Sequence, residues 1–150
     1  MNPEGIVEIL MVEDNDQDLA LAQRALRKAN VTNRIHVVRD GEEALQFLFC
    51  EGPYAERKLE DGPKVVLLDL KLPKIDGLEV LQRLKSDPRT KAIPVVVLTS
   101  SKEQSDVVET YNLGVNSYIV KPVNFEQFSE TVQKLGLYWL LINQPPKLEG

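Results

Sequence analysis

Val65-Val66-Leu67-Leu68-Asp69 is the stretch on which the reading of this chain turns. Four apolar residues in succession, with no polar alternation and too little length for an ordinary helix, read as a strand buried on both faces. The run breaks off at a carboxylate. Similar short runs occur at Ile6 to Val12, Ile35 to Val38, Ile93 to Leu98 and Ser117 to Val120. Between them the period lengthens. From Asp16 to Ala29, the residues Leu19, Ala22, Ala25, Leu26 and Ala29 recur at the three- and four-residue steps of one helix face, with Asn15 or Asp16 as cap. Asp40 with Glu43, and Asp76 with Glu79, have capping-box spacing at the start of two more helices. A fourth helix is expected from near Ser100, ended by Gly114, and a last one from Asn124.

Apolar strands that alternate with helices imply a parallel sheet covered on both faces, because parallel neighbours need right-handed crossovers. The expected fold is therefore a doubly wound α/β domain. Two stretches depart from the rhythm. Residues 51–64 contain Gly52-Pro53 and Gly62-Pro63 and form a long connection, either a surface excursion or a partner-reading loop. Beyond Asn143, Pro145-Pro146 must stop any helix.

Composition narrows the function. The chain has 150 residues, 43% hydrophobic and 27% charged, enough for one domain with a real core. Its formal charge of −5 argues against binding nucleic-acid backbones or anionic membrane surfaces. Cys50 and His36 are the single cysteine and histidine, which excludes an internal disulfide and a histidine-rich metal site. The expected compartment is the reducing cytoplasm, since no targeting segment and no apolar run of bilayer length is evident.

Open α/β sheets bind ligands at the carboxyl edge of their strands. Just past the strands stand Glu13 and Asp14, Asp69, Thr99, and Lys121 followed by Pro122. Singly, each is ordinary turn, cap or strand chemistry. Jointly, if the first and third strands are neighbours, three like charges crowd together and need a cation. Oxygen-only ligands favour a hard ion such as Mg²⁺. With a Lys for an anionic oxygen and a hydroxyl for another, the set suits phosphoryl transfer, with Asp69 as nucleophile.

The motifs then resemble the receiver domains of bacterial two-component response regulators over about residues 6 to 135. They are Val12-Glu13-Asp14-Asn15, the D-x-x-x-P-x-x-D-G pattern from Asp69 to Gly77, Leu98-Thr99-Ser100, and Tyr118-Ile119-Val120-Lys121-Pro122. That resemblance implies a flavodoxin-like five-stranded sheet of order 2-1-3-4-5 with five helices. It implies that Asp69 is phosphorylated, that Asp14 binds Mg²⁺ (or Mn²⁺) directly, that Glu13 assists through water, and that the Lys71 carbonyl is another ligand. Thr99 and Lys121 would bind phosphoryl oxygens, and Thr99 with Tyr118 would form the switch, read out through the fourth helix, fifth strand and fifth helix. Glu13 stands where Asp is commoner in the family. Lys71 and Ser101 occupy positions that tune phosphoryl lifetime.

The chain is expected to be a single receiver without an output domain, acting through a partner. Phe125, Phe128, Val132, Leu135, Trp139 and Ile142 form one stripe of the last helix, while Leu137, Tyr138, Leu140 and Leu141 cover other faces. Such an all-round apolar segment suggests a homodimer, with Phe125, Leu137, Tyr138, Trp139 and Leu141 at its interface, the alternative being a tail that folds back on its own domain. The long loop and this ending resemble the stand-alone receivers that serve bacterial and cyanobacterial phytochromes, which implies a phytochrome-type sensor histidine kinase as phosphodonor. His36 reads as a structural or surface residue and Cys50 as a small half-buried hydrophobe. Two other readings compete: a phosphorylation-independent dimeric scaffold, and an Asp-dependent phosphatase, for which Asp69-Leu70-Lys71 lacks the second Asp. Neither a P-loop nor a dinucleotide-binding glycine motif occurs.

Overall fold

The computed structural model describes residues 7–31, 33–100 and 115–137. Five strands, β1 (Ile9–Val12), β2 (Ile35–Val38), β3 (Val65–Asp69), β4 (Val95–Thr99) and β5 (Ser117–Val120), form one sheet of order β2-β1-β3-β4-β5. Every pairing is parallel. The Val-rich runs suit this position, since β-branched side chains pack well on a pleated surface buried on both sides. Alternate residues supply the two faces. Ile9, Met11, Val65, Leu67, Val96, Leu98 and Ile119 pack against α1 (Asp16–Lys28) and α4 (Phe125–Leu135). Leu10, Val12, Val66, Leu68, Val95 and Val97 pack against α2 (Gly41–Leu48) and α3 (Gly77–Ser86). Each large aliphatic side chain so buried contributes roughly 1.5–3 kcal/mol.

The helices begin where polar side chains satisfy their first N–H groups. Asn15, Asp40, Asp76 and Asn124 accept from the N–H groups of Asp18, Glu43, Glu79 and Gln127 at 2.7–3.0 Å. The reciprocal half of the capping box is replaced: Glu43 accepts from the Tyr54 hydroxyl and Glu79 from Arg83. Two helix starts also demand glycine. A Cβ on Gly77 would stand 2.6 Å from Leu70 Cα and closer still to the Asp69 carbonyl, and one on Gly41 would strike the Ile75 carbonyl. The loop from Asp69 to Gly77 is thus clamped between two helix N-termini.

Three boundaries differ from the sequence expectation. β1 starts at Ile9, not Ile6, because the ladder opens where the N–H groups of Glu8 and Ile9 share the Arg34 carbonyl. β4 starts at Val95, since Pro94 has no N–H to donate. The last helix does not run through to Ile142: it ends at Leu135, and Gly136 takes φ +72°. The Gly136 N–H then bonds the Gln133 carbonyl and the Leu137 N–H bonds the Val132 carbonyl, a Schellman ending. Leu137, expected at the dimer interface, is instead 8% exposed and packs in the chain's own core beside Val132. The helix expected between Ser100 and Gly114 lies outside the described residues, so the helices described number four rather than five.

Residues 51–64 form a pinned surface excursion with two single-turn 3₁₀ helices, Gly52–Tyr54 and Leu59–Asp61. The Tyr54 hydroxyl bonds Glu43 Oε2 at 2.7 Å and contacts His36 Nε2 at 2.9 Å. The His36 ring stacks on Phe47 with centroids 4.8 Å apart, and the Arg57 guanidinium lies over the Phe47 ring, 3.7 Å from its centroid. Arg57 also donates to the Phe47 and Asp61 carbonyls. Burial pushes the Tyr54 pKa up to about 12, reinforced by the bond to Glu43. Burial also lowers the pKa of His36, with Glu43 opposing and Arg57 assisting.

Two outcomes follow. Gly77→Ala forces the loop between Asp69 and Gly77 off its helix and lowers stability by about 1–3 kcal/mol in urea unfolding. Burial makes His36 harder to protonate in the fold than in the unfolded chain, where it takes a proton near its ordinary pKa of 6.5. Its stabilising contribution is therefore complete above that pH and lost as pH falls below it. The loss of urea midpoint between pH 7 and pH 5 is expected to be smaller in His36→Phe than in the wild type.

Candidate functional site

Register builds the site. Val12 pairs with Leu68, so the next step along β1 and β3 sets Glu13 beside Asp69. Asp69 pairs with Leu98, which places Thr99 one step beyond it. The Lys121 N–H donates to the Thr99 carbonyl at 2.7 Å, tying the end of β5 to the end of β4. Chain geometry therefore gathers Glu13, Asp69, Thr99 and Lys121 at one sheet edge.

Their side chains meet. Lys121 Nζ lies 3.1 Å from Glu13 Oε1, 3.2 Å from Asp69 Oδ2 and 2.9 Å from Asp18 Oδ2. Glu13 and Asp69 are 1% and 4% exposed. Asp69 Oδ1 also accepts from the Lys71 N–H at 3.3 Å, and Glu13 Oε2 accepts from the Asn15 N–H at 3.1 Å. Asp14 is exposed, and its carboxylate borders a cleft of about 240 Å³ lined by Asn15, Asp18, Asp69, Lys71, Ser100 and Lys121 as well. That is room for a phosphoryl group and several waters at about 30 Å³ each.

Electrostatics follow from the crowding. Burial, joined by the Asp69 charge, pushes the Glu13 pKa up to about 7, although the Asn15 N–H and Lys121 pull the other way. Burial works to lower the Lys121 pKa, yet the bond to Asp18 and the charges of Asp69 and Glu13 raise it on balance. Two buried polar atoms of the site have no hydrogen-bond partner among the described residues. Glu13 Oε1 sits within ion-pair distance of Lys121 but accepts no hydrogen bond, and the fully buried Thr99 hydroxyl has no hydrogen-bond partner. A buried hydroxyl left so costs about 1–3 kcal/mol, which an incoming oxygen acceptor recovers.

The donor set suits a hard divalent ion: carboxylates, backbone carbonyls and water, with neither Cys nor His in the cleft. Among the described residues no three His, Cys, Asp or Glu side chains converge as a ready-made cage. Mg²⁺ does not require one, since it keeps several waters. The orphaned Glu13 oxygen and the exposed Asp14 carboxylate are the groups left to serve it.

Of the other expected positions, Tyr118 is half-buried on the α2 and α3 face of β5, and Phe125 is half-buried under Lys28. Tyr138, Trp139 and Leu141 lie outside the described residues. The sequence reading missed Asp18. Its position three residues after the Asn15 cap marks it as a first-turn acid, but only the fold brings it to Lys121.

Comparison with known proteins agrees with this geometry. Residues 9–133 match the response regulator receiver domain. The probable methanogenesis regulatory protein FilR2 of Methanothrix harundinacea is 43% identical over 92% of this chain and 86% of its own. Response regulator Rcp1 of Synechocystis is 41% identical over 93% of this chain and 91% of its own. A structure of Rcp1 in its Mn²⁺-bound form superposes with a TM-score of 0.70 at 38% identity, covering 93% and 99% of the two chains. The bacteriophytochrome response regulator RtBRR superposes with a TM-score of 0.86 at 51% identity, over 95% of this chain and 85% of that one. Receiver domains bind Mg²⁺ and act in signalling rather than in metabolism, and no described helix is long and apolar enough to cross a membrane. With its parallel sheet of order 2-1-3-4-5, its acidic cleft and its matched motifs, the chain belongs to the response regulator receiver family.

Proposed function

We propose that this chain is a stand-alone response regulator that takes a phosphoryl group from a partner histidine kinase onto Asp69. The observation that carries this reading is the buried Asp69 carboxylate with the Lys121 ammonium 3.2 Å away and the unpartnered Thr99 hydroxyl at the neighbouring strand end. Asp69 attacks phosphorus, the bond from phosphorus to the donor's imidazole nitrogen breaks, and the imidazole leaves with the electron pair. Lys121 turns from Asp69 to a phosphoryl oxygen, and Thr99 donates to another. Asp14, Asp69 and the Lys71 carbonyl would hold Mg²⁺, with Glu13 acting through water; when bound, the ion neutralises the carboxylates and the transferred oxygens.

Movement of Thr99 and Tyr118 would pass the change to the surface of β5 and its flanking helices, a local electrostatic event that biases a two-state element. The resemblance to RtBRR and Rcp1 supports a phytochrome-type kinase as donor. Self-association through the last helix and the residues after it belongs to the same proposal, with Leu137 withdrawn from the interface by its burial.

Incubation with acetyl phosphate and Mg²⁺ is expected to add the mass of one phosphoryl group, and Asp69→Asn to add none. An unmodified wild type overturns the reading, and an Asp69→Asn variant that binds its partner unchanged favours the scaffold. Light scattering of the full chain is expected to give twice 16.9 kDa, and a value of 16.9 kDa with and without phosphodonor removes the dimer.

A further inference from the structure

Lys121 holds three carboxylates, and only two of them stand at strand ends. The third, Asp18, reaches the ammonium from the first turn of α1, across 103 residues of chain. Its contact at 2.9 Å is the shortest of the three, and the ammonium it holds belongs to a side chain only 12% exposed. Helix capping does not explain it. In a capping box the third residue returns to the N–H of the cap, but here the Asn15 N–H donates to Glu13 Oε2. Asp18 is thereby released from its own helix end, and the hydrogen bond described for its carboxylate is the one to Lys121.

An ammonium has three donors. In the resting site it donates to Asp18 Oδ2 at 2.9 Å and to Glu13 Oε2 at 3.3 Å, and stands in ion-pair contact with Asp69 Oδ2 at 3.2 Å. When a phosphoryl group enters, the contact with Asp69 must give way to one with a phosphoryl oxygen. Asp18 reaches the ammonium from the first turn of α1, at the wall of the same cleft, and its bond to Lys121 does not involve Asp69. We infer that Asp18 is a positioning residue for phosphoryl transfer: it anchors Lys121 so that the ammonium is already aimed at the oxygens of the incoming group. A lysine has four rotatable bonds, and freezing them in the transition state is costly unless the fold has done so beforehand. Asp18 also adds negative charge near an anion. The two effects separate by substitution, because Asp18→Asn keeps an acceptor oxygen without the charge.

This inference rests on the phosphoacceptor reading of Asp69. The test is the rate of phosphorylation by acetyl phosphate at saturating Mg²⁺, followed by intact mass across donor concentrations. Asp18→Ala is expected to lower the maximal rate about five- to tenfold with little change in half-saturating donor, since the anchor acts in the transition state and not in capture. Asp18→Asn is expected to stay within about twofold of the wild type, as the retained oxygen still holds the ammonium. In a Lys121→Ala background, Asp18→Ala is expected to have no further effect, the mark of action through that one side chain. Wild-type rates in Asp18→Ala, or an equal slowing in both backgrounds, overturn the inference. Should Asp18→Ala fail to fold, Asp18→Ser carries the same expectations. A wild type that takes no phosphoryl group sinks the underlying reading instead, and normal phosphorylation of Asp18→Ala sinks this one alone.

Discussion

One ammonium shared by three carboxylates is the interaction on which this molecule depends. Lys121 lies within 3.3 Å of oxygens from Glu13, Asp69 and Asp18, with Asp14 on the open side of the same cleft. One positive charge cannot balance this set. Part of the imbalance is met by raising the Glu13 pKa, through burial first and Asp69 second. The remainder leaves the cleft receptive to a divalent cation and, with that cation, to an anion. The same crowding that makes the resting site costly is what favours the proposed transfer of a phosphoryl group to Asp69.

The sheet exists, in functional terms, to hold that imbalance in place. Parallel pairing from β1 through β5 sends every strand end to one edge, so residues far apart in sequence become neighbours without any long loop to position them. Core packing on both faces makes the edge rigid, and Gly41 and Gly77 let two helix starts close on the loop that follows Asp69. In a site assembled from strand ends and helix starts the backbone is held by the sheet, so a change of charge is met by side chains such as Lys121, Thr99 and Tyr118. The response is expected at the surfaces those ends support.

Much of this was legible beforehand, for reasons that particular residues make plain. Runs such as Val65 to Leu68 admit few readings besides a doubly buried strand, and an Asp or Lys directly after such a run must lie at the ligand edge. Cap residues Asn15, Asp40, Asp76 and Asn124 announced their helices through short-range chemistry. Long-range contacts away from the strand ends were not legible. The Asp18 contact with Lys121 and the cluster of His36, Tyr54, Glu43, Phe47 and Arg57 depend on packing that no local pattern encodes. The end of the last helix was hidden differently: the apolar stripe continues past Gly136, but a left-handed backbone there turns Leu137 into the core.

The central claim is that the carboxylates crowded at the strand ends make the cleft a divalent-cation site. The direct measurement is a calorimetric titration of the metal-free chain with Mg²⁺ at pH 7. One ion is predicted to bind per chain, and Asp14→Asn is predicted to weaken that binding by about tenfold or more. No heat of binding in the wild type, or unchanged binding in Asp14→Asn, contradicts the account.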